Sequence, residues 1–367
     1  MTSYKLLTPG PLTTSDMVKA QMLEDRCTWD DDYKEMTQQI RARLLNIARL
    51  SPDAYTSVLM QGSGSFVVES VLTSTIRDTD HLLVISNGAY GERIAQMAER
   101  IGLSYTHYTT AYNTPLVIEE IALLLQAEPH ITHIAMVHCE TTTGILNPIE
   151  AVAALAKAHN LVFIVDAMSS FGGVPIDVAG LGIDYLISSA NKCIQGVPGF
   201  GFVIAKKQVF LQTEGIARSV SLDLYDQWKT MDLDGKWRFT SPTHVVAAFL
   251  QALYELEQEG GVAARYARYA ENNRYIREKL AVLGFHSYID ETWQSPIITA
   301  FLHPNEAFDF TAFYHYMKSH GFVLYPGKLT DVDTFRIGNI GEIYAADVQS
   351  LCTTIENYMG VIAHDKN

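Results

Sequence analysis

Cysteine is scarce in this chain: four in 367 residues, Cys27, Cys139, Cys193 and Cys352, scattered and without a Cys-x-x-Cys pair. That spacing offers neither a disulfide framework nor a zinc knot, and it suits thiols kept reduced in a cytoplasmic protein. No apolar run is long enough to span a bilayer, and the opening residues lack the apolar core of a secretory signal. Basic residues are outnumbered, 27 Lys and Arg against 41 Asp and Glu, for a formal charge of −14 with no basic run. A nucleic-acid surface is therefore not expected, and an anionic ligand needs a locally positive site against the overall field. Repeats and low-complexity tracts are absent too. What is left is an ordinary soluble composition, 48% hydrophobic and 19% charged, in a chain long enough for a large core and two domains.

From about residue 56 to 205, short apolar runs alternate with helical stretches. The run 56–60 precedes a helical 66–76, 81–85 precedes 89–101, and 131–137 precedes 149–159. Two further runs follow, 161–165 and 184–187. This alternation predicts an α/β fold with a mostly parallel sheet covered by helices. Residues 199–204 add a further strand, expected to be antiparallel. A long helix over 244–259 leads to Gly260-Gly261, which reads as a joint. Beyond it a helix over 263–283, strands near Ile297 and Phe322 and a last helix from Ala345 predict a smaller α+β unit. The expected division is 1–257 and 258–367.

Chemistry gathers at the strand ends, where open α/β sheets bind ligands. Lys192 follows the run 184–187 in Ser188-Ser189-Ala190-Asn191-Lys192-Cys193-Ile194-Gln195-Gly196, and Asp166 closes the run 161–165. A buried lysine with such an aspartate is what pyridoxal phosphate (PLP) chemistry requires: the lysine carries the cofactor, and the acid keeps its ring nitrogen protonated. Exposed lysines and strand-end aspartates are common, so these two residues leave the plain structural reading open. Gln61-Gly62-Ser63-Gly64-Ser65 opens a helix and suits a phosphate, through free N–H groups and the hydroxyls of Ser63 and Ser65; a simple helix cap is the alternative. The turn lacks both the Gly-Lys-Ser/Thr ending of a Walker loop and the third glycine of a dinucleotide fingerprint. Tyr90, in Asn87-Gly88-Ala89-Tyr90-Gly91, either stacks on a flat ligand or packs in the core. Glu140-Thr141-Thr142-Thr143-Gly144 brings hydroxyls to the same rim. In Phe335-Arg336-Ile337-Gly338, Arg336 is either a clamp for a carboxylate or phosphonate or a structural ion pair. His130, His133 and His138 do not share a face, and no metal is expected.

With these motifs in hand, the chain resembles the fold-type I, class V PLP-dependent aminotransferases of the alanine–glyoxylate and serine–pyruvate group, over essentially its whole length. The most specific segments are Val165-Asp166-Ala167-Met168-Ser169-Ser170-Phe171-Gly172-Gly173 and the stretch from Ser188 to Gly199. Leu7-Thr8-Pro9-Gly10-Pro11 and Cys27-Thr28-Trp29-Asp30-Asp31-Asp32-Tyr33 match as well. Within the group it is most similar to members acting on 2-aminoethylphosphonate and pyruvate, which yield phosphonoacetaldehyde and L-alanine. An alanine or serine aminotransferase using glyoxylate or pyruvate is the alternative. The resemblance implies that Lys192 holds PLP, Asp166 pairs with its ring nitrogen and Tyr90 stacks on it. It further implies that Ser63, Gly64 and Ser65 bind the phosphate, that Thr141 lies beside the cofactor, and that Arg336 binds the substrate anion. It also implies a homodimer in which Thr240 or Thr243, in Phe239-Thr240-Ser241-Pro242-Thr243, reaches the neighbouring subunit's cofactor phosphate. A cysteine desulfurase on the same scaffold would need a mobile cysteine near Tyr325-Pro326, where the sequence has none. A noncatalytic binding protein would not need Lys192, Asp166 and Arg336 together.

Overall fold

The computed structural model describes residues 4–327 and 332–365. Seven strands form its main sheet: β1 (Tyr55–Gln61), β2 (Leu82–Ser86), β3 (Tyr105–Thr109), β4 (His133–Val137), β5 (Val162–Asp166), β6 (Tyr185–Ser189) and β7 (Phe200–Lys206). Their spatial order is β1-β7-β6-β5-β4-β2-β3. The pairs β6–β5, β5–β4, β4–β2 and β2–β3 are parallel, while β7 runs antiparallel to both β1 and β6. The expected α/β architecture, including the antiparallel strand near residue 200, is therefore the one observed.

Side chains alternate along each strand and divide between two cores. In β2, Leu83 and Ile85 enter the larger cluster and Leu82 and Val84 the other. In β5, Phe163 and Val165 face one way and Ile164 the other. Burial on both faces explains why these strands read as unbroken apolar runs. Helices Gly64–Thr75, Ala89–Ile101 and Ile149–Ala158 connect the parallel strands, close to the expected 66–76, 89–101 and 149–159. Ala89–Ile101 stops at Gly102, whose φ of +80° is the left-handed turn that ends a helix.

Beyond helix Thr243–Glu259, Gly260 takes φ +106° and helix Gly261–Val282 begins. A second sheet follows, in which Thr334–Gly338 lies between Ile298–Leu302 and Tyr325–Pro326, antiparallel to both. A third core, rich in Phe285, Phe301, Phe313 and Phe335, packs there. The N-terminal Lys5–Leu6 strand pairs in parallel with Phe322–Val323, and Leu7 joins this third core. The segment that follows, Thr8 to Pro11, is thereby laid between the two sheets: the Gly338 N–H donates to the Leu7 carbonyl at 3.0 Å, and the Lys192 ammonium donates to the Pro9 carbonyl at 2.7 Å.

Candidate active site

The C-terminal ends of β1, β2, β4, β5 and β6 meet on one rim, joined there by the start of the reversed β7. A cavity of about 510 Å³ opens on that rim. It is lined by Ser63, Gly64 and Ser65 after β1, Tyr90 after β2, Asp166 at the end of β5 and Lys192 beyond β6. Strand pairing explains the meeting of the last two. Asp166 sits opposite Ile187 in the β5–β6 ladder, so a five-residue step from Ile187 brings Lys192 to the mouth that Asp166 faces.

Both ionisable groups are buried, and their affinities for protons move towards each other. Burial draws the Lys192 ammonium down to about 8, with the Asp166 carboxylate among the groups acting against that fall. Burial pushes the Asp166 carboxyl up to about 6, against the Met168 N–H and the nearby cations Lys192 and Arg93. Asp166 Oδ1 accepts from the Met168 N–H at 2.8 Å. No hydrogen bond from another described residue reaches Oδ2, which leaves that oxygen for a ligand.

At the other end of the cavity, Gly62 takes φ +109°, and a Cβ there would come within 2.8 Å of the Phe66 ring. Glycine is required at this turn. It delivers the chain into helix Gly64–Thr75 with Ser63 as N-cap. The Phe66 and Val67 N–H groups return to the Ser63 carbonyl, whereas the Gly64 and Ser65 N–H groups have no acceptor within the helix. An anion suits that helix end.

Several residues of the site have no role assigned to them by the sequence alone. Ser189, the last residue of β6, lines the cavity with a buried hydroxyl that has no hydrogen-bond partner among the described residues. Arg93, one turn after Tyr90, also lines it. Its guanidinium lies 4.9 Å from the Tyr90 ring centre. Glu140 is fully buried: its Oε2 accepts from the N–H groups of Tyr90 (3.1 Å) and Gly91 (3.2 Å), and its Oε1 from the N–H and hydroxyl of Thr142. A carboxylate therefore clamps the N-terminus of the helix that carries Tyr90, although burial raises its pKa. The i, i+3 spacing of Tyr90 and Arg93 was the available signal for the arginine; Glu140 and Ser189 had none beyond their strand-end positions.

The other expected site residues lie outside the cavity lining. Arg336 is buried in the central strand of the smaller sheet, and burial lowers its pKa. Its Nη1 donates to the Thr141 carbonyl at 2.8 Å, its Nε to the Pro326 carbonyl at 3.2 Å, and Tyr325 lies 4.8 Å below the guanidinium. No carboxylate pairs with it among the described residues, so the ion-pair alternative is not the one observed. Thr141 is buried beside Glu140. Thr240 is exposed, and Thr243 starts helix Thr243–Glu259. Of the three histidines, His138 bonds Ser170 and His133 bonds Thr132. His130 approaches His81 and Glu128, with ligand-type atoms within 4.8 Å of one another, but both His81 ring nitrogens already engage the Ser104 and Thr106 hydroxyls.

The lining fits PLP. It offers an amine for the aldehyde, a carboxylate oxygen for the ring nitrogen, a helix end for the phosphate and the unpartnered Ser189 hydroxyl as a further polar contact. Comparison with known proteins points the same way. A family model described as aminotransferase class-V matches residues 32–324. The chain is 62% identical over 367 residues, 100% of both chains, to the 2-aminoethylphosphonate–pyruvate transaminase of Lysinibacillus sphaericus (strain C3-41). It is 57% identical over 353 residues to the protein of the same name from Bacillus cereus (strain Q1), covering 96% of this chain and 97% of that one. Its fold matches the crystal structure of pyridoxamine-pyruvate aminotransferase from Mesorhizobium loti with a TM-score of 0.89 at 23% identity, over 98% of this chain and 93% of the other. From its sheet, its lysine–aspartate cavity and these likenesses together, the chain belongs to the class-V aminotransferase family.

Proposed function

We propose that the protein moves the amino group of 2-aminoethylphosphonate to pyruvate, giving phosphonoacetaldehyde and L-alanine, with PLP as cofactor and as a cytoplasmic homodimer. The observation that carries this reading is the pairing of buried Lys192 and Asp166 at adjacent strand ends of one cavity, in a chain so similar to relatives named for that reaction.

When bound, PLP supplies an electron sink that lets the carbon bearing the substrate's nitrogen lose its proton at neutral pH. Lys192 carries the cofactor. Its Nζ would be the base that takes the proton from that carbon and gives one back, a task suited to an amine brought down to about 8. Asp166 keeps a proton on the ring nitrogen set against its carboxylate. Tyr90 would support the ring face, and the Thr141 hydroxyl would be a further contact next to it. The Gly64 and Ser65 N–H groups, with the Ser63 and Ser65 hydroxyls, hold the phosphate. Arg336 receives the phosphonate in one half-reaction and the pyruvate carboxylate in the other; its planar fork suits both. Thr240, exposed and outside its own chain's cavity, is free to serve a neighbouring subunit, with Thr243 as second contact.

Titration of the purified protein followed by visible absorbance tests the reading. The band of lysine-bound cofactor should fall on adding 2-aminoethylphosphonate and return with pyruvate, one alanine forming per site. A band that ignores the phosphonate but answers to alanine or serine would keep the family and discard the substrate. Arg336→Ala should raise KM for both substrates by roughly ten- to a hundredfold while retaining the band. An unchanged KM for both would remove Arg336 from its role.

A further inference from the structure

The cavity holds a cation to which this mechanism gives no task. Arg93 lies on the same face of helix Ala89–Ile101 as Tyr90 and reaches across to helix Gly64–Thr75, where its Nη1 donates to the Ser65 Oγ at 3.3 Å. We infer that Arg93 is an anion anchor for the phosphate of the bound cofactor, closing from the side the cup that the Gly64 and Ser65 N–H groups open from below. The inference rests on the PLP reading above and adds a ligand to it.

Three observations support it. The first is availability. Among the described residues, the long bond to Ser65 is the guanidinium's one hydrogen bond, and no carboxylate forms an ion pair with it. In a chain with 41 acidic residues against 27 basic ones, an arginine without an acidic partner on a cavity wall is a charge held for something else. The second is placement. Its contact is a hydroxyl on the first helical turn of the phosphate-suited end, and its guanidinium carbon lies over the Tyr90 ring, 4.9 Å from the ring centre, which restricts where the fork reaches. The buried Ser189 hydroxyl on the same lining, without a hydrogen-bond partner among the described residues, is a second polar group left for a ligand there. The third is charge balance. A phosphate brings close to two negative charges into a protein of net charge −14. Lys192 is committed to carrying the cofactor and Arg336 to the substrate anion, so Arg93 and the helix end are what remain to offset it. Its five N–H donors allow a bidentate grip while the Ser65 contact is kept or exchanged.

The test compares PLP with pyridoxal, which has the same ring and aldehyde but no phosphate. Each is titrated into the full chain stripped of cofactor, as wild type, Arg93→Gln and Arg93→Lys, with binding read by visible absorbance and protein fluorescence. The expected result is a loss of PLP affinity of roughly ten- to a hundredfold in Arg93→Gln, with pyridoxal affinity changed less than about threefold. Arg93→Lys, which keeps the charge but not the fork, should recover part of the loss. Equal losses for PLP and pyridoxal would mean that Arg93 only braces Tyr90, and would overturn the inference. Unchanged PLP affinity with a raised KM for 2-aminoethylphosphonate would move Arg93 to the substrate and overturn it as well. A wild-type chain that binds neither compound would instead bring down the cofactor reading itself.

Discussion

At the scale of single residues, the site works by holding an acid and a base away from their ordinary proton affinities. In the role proposed for it, Lys192 needs a neutral amine to attack an aldehyde. With its pKa lowered to about 8, the rate of cofactor attachment to the stripped chain should climb about tenfold per pH unit below 8 and level off above it. Stopped-flow absorbance from pH 6.5 to 9.5 reads this directly, and a flat profile contradicts it. Asp166 has the opposite shift, and its consequence is a stability cost. Its carboxyl is raised from 3.8 to about 6 in the fold, so the folded chain binds the proton more tightly than the unfolded one. Its favourable contribution is complete below about pH 4 and lost as pH rises through 6, where the folded chain must hold a buried charge. Asp166→Asn should therefore stabilise the cofactor-free protein at pH 7 by about 1–3 kcal/mol, with the gap closing near pH 4. Thermal melts at the two pH values check it, and a variant less stable at pH 7 would refute it. The same variant should bind cofactor poorly, so the function is held at the expense of the empty fold.

At the scale of elements, the loop after β2 and the hairpin of Cys139–Glu140 with Ile145–Leu146 lock together. Gly88 is extended, at φ 178°, and any residue could adopt that backbone. What forbids a side chain is contact: a Cβ at Gly88 would run into the Glu140 side chain. Gly88→Ala should push the carboxylate off the Tyr90 and Gly91 N–H groups and cost roughly 1–3 kcal/mol. It should also weaken the circular dichroism of bound cofactor, since Tyr90 loses its footing. Unchanged stability and dichroism would mean the clamp is slack. Local patterns made much of this element structure legible. Two-sided burial gave β2, β4, β5 and β6 their apolar runs, and Ala89–Ile101 has the expected bounds. The edge strand β3 escaped because Tyr105-Thr106-His107-Tyr108-Thr109 is half exposed and lacks an apolar run. Helix Leu224–Asp234 begins at an Asp223 cap and ends at Gly235, yet it is short and mixes polar with apolar residues through Asp226, Gln227 and Lys229.

At the scale of the whole molecule, we propose that the chain divides near residues 257 and 258, with the N-terminal strand crossing to the smaller part. That crossing has a use: the same segment that pairs with Phe322–Val323 brings the Pro9 carbonyl to Lys192 and the backbone of Thr8 against Gly338. The proposed homodimer is testable by complementation. A Lys192→Ala chain mixed and reassembled with a Thr240→Ala, Thr243→Ala chain should regain about a quarter of wild-type activity, because half the random pairs carry one intact site. No recovery, with mixed pairs shown to form, would place each site within one chain.

By itself the sequence determined what depends on near neighbours: the alternation that makes a parallel sheet, the glycine turn before a helix, and an aspartate and a lysine at the exits of successive strands. Periodicity and turn chemistry act over a few residues, so they can be read along the chain. Only the tertiary structure decided which of these exits share a cavity, and which distant groups complete it. The Thr141 carbonyl against Arg336, 195 positions away, and the Pro9 carbonyl against Lys192, 183 positions away, result from how two sheets pack. Arg93 gained its meaning in the same way. As a sequence it is one more charge on an amphipathic helix; packing sets it beside Ser65 on the cavity wall, with no acidic partner among the described residues.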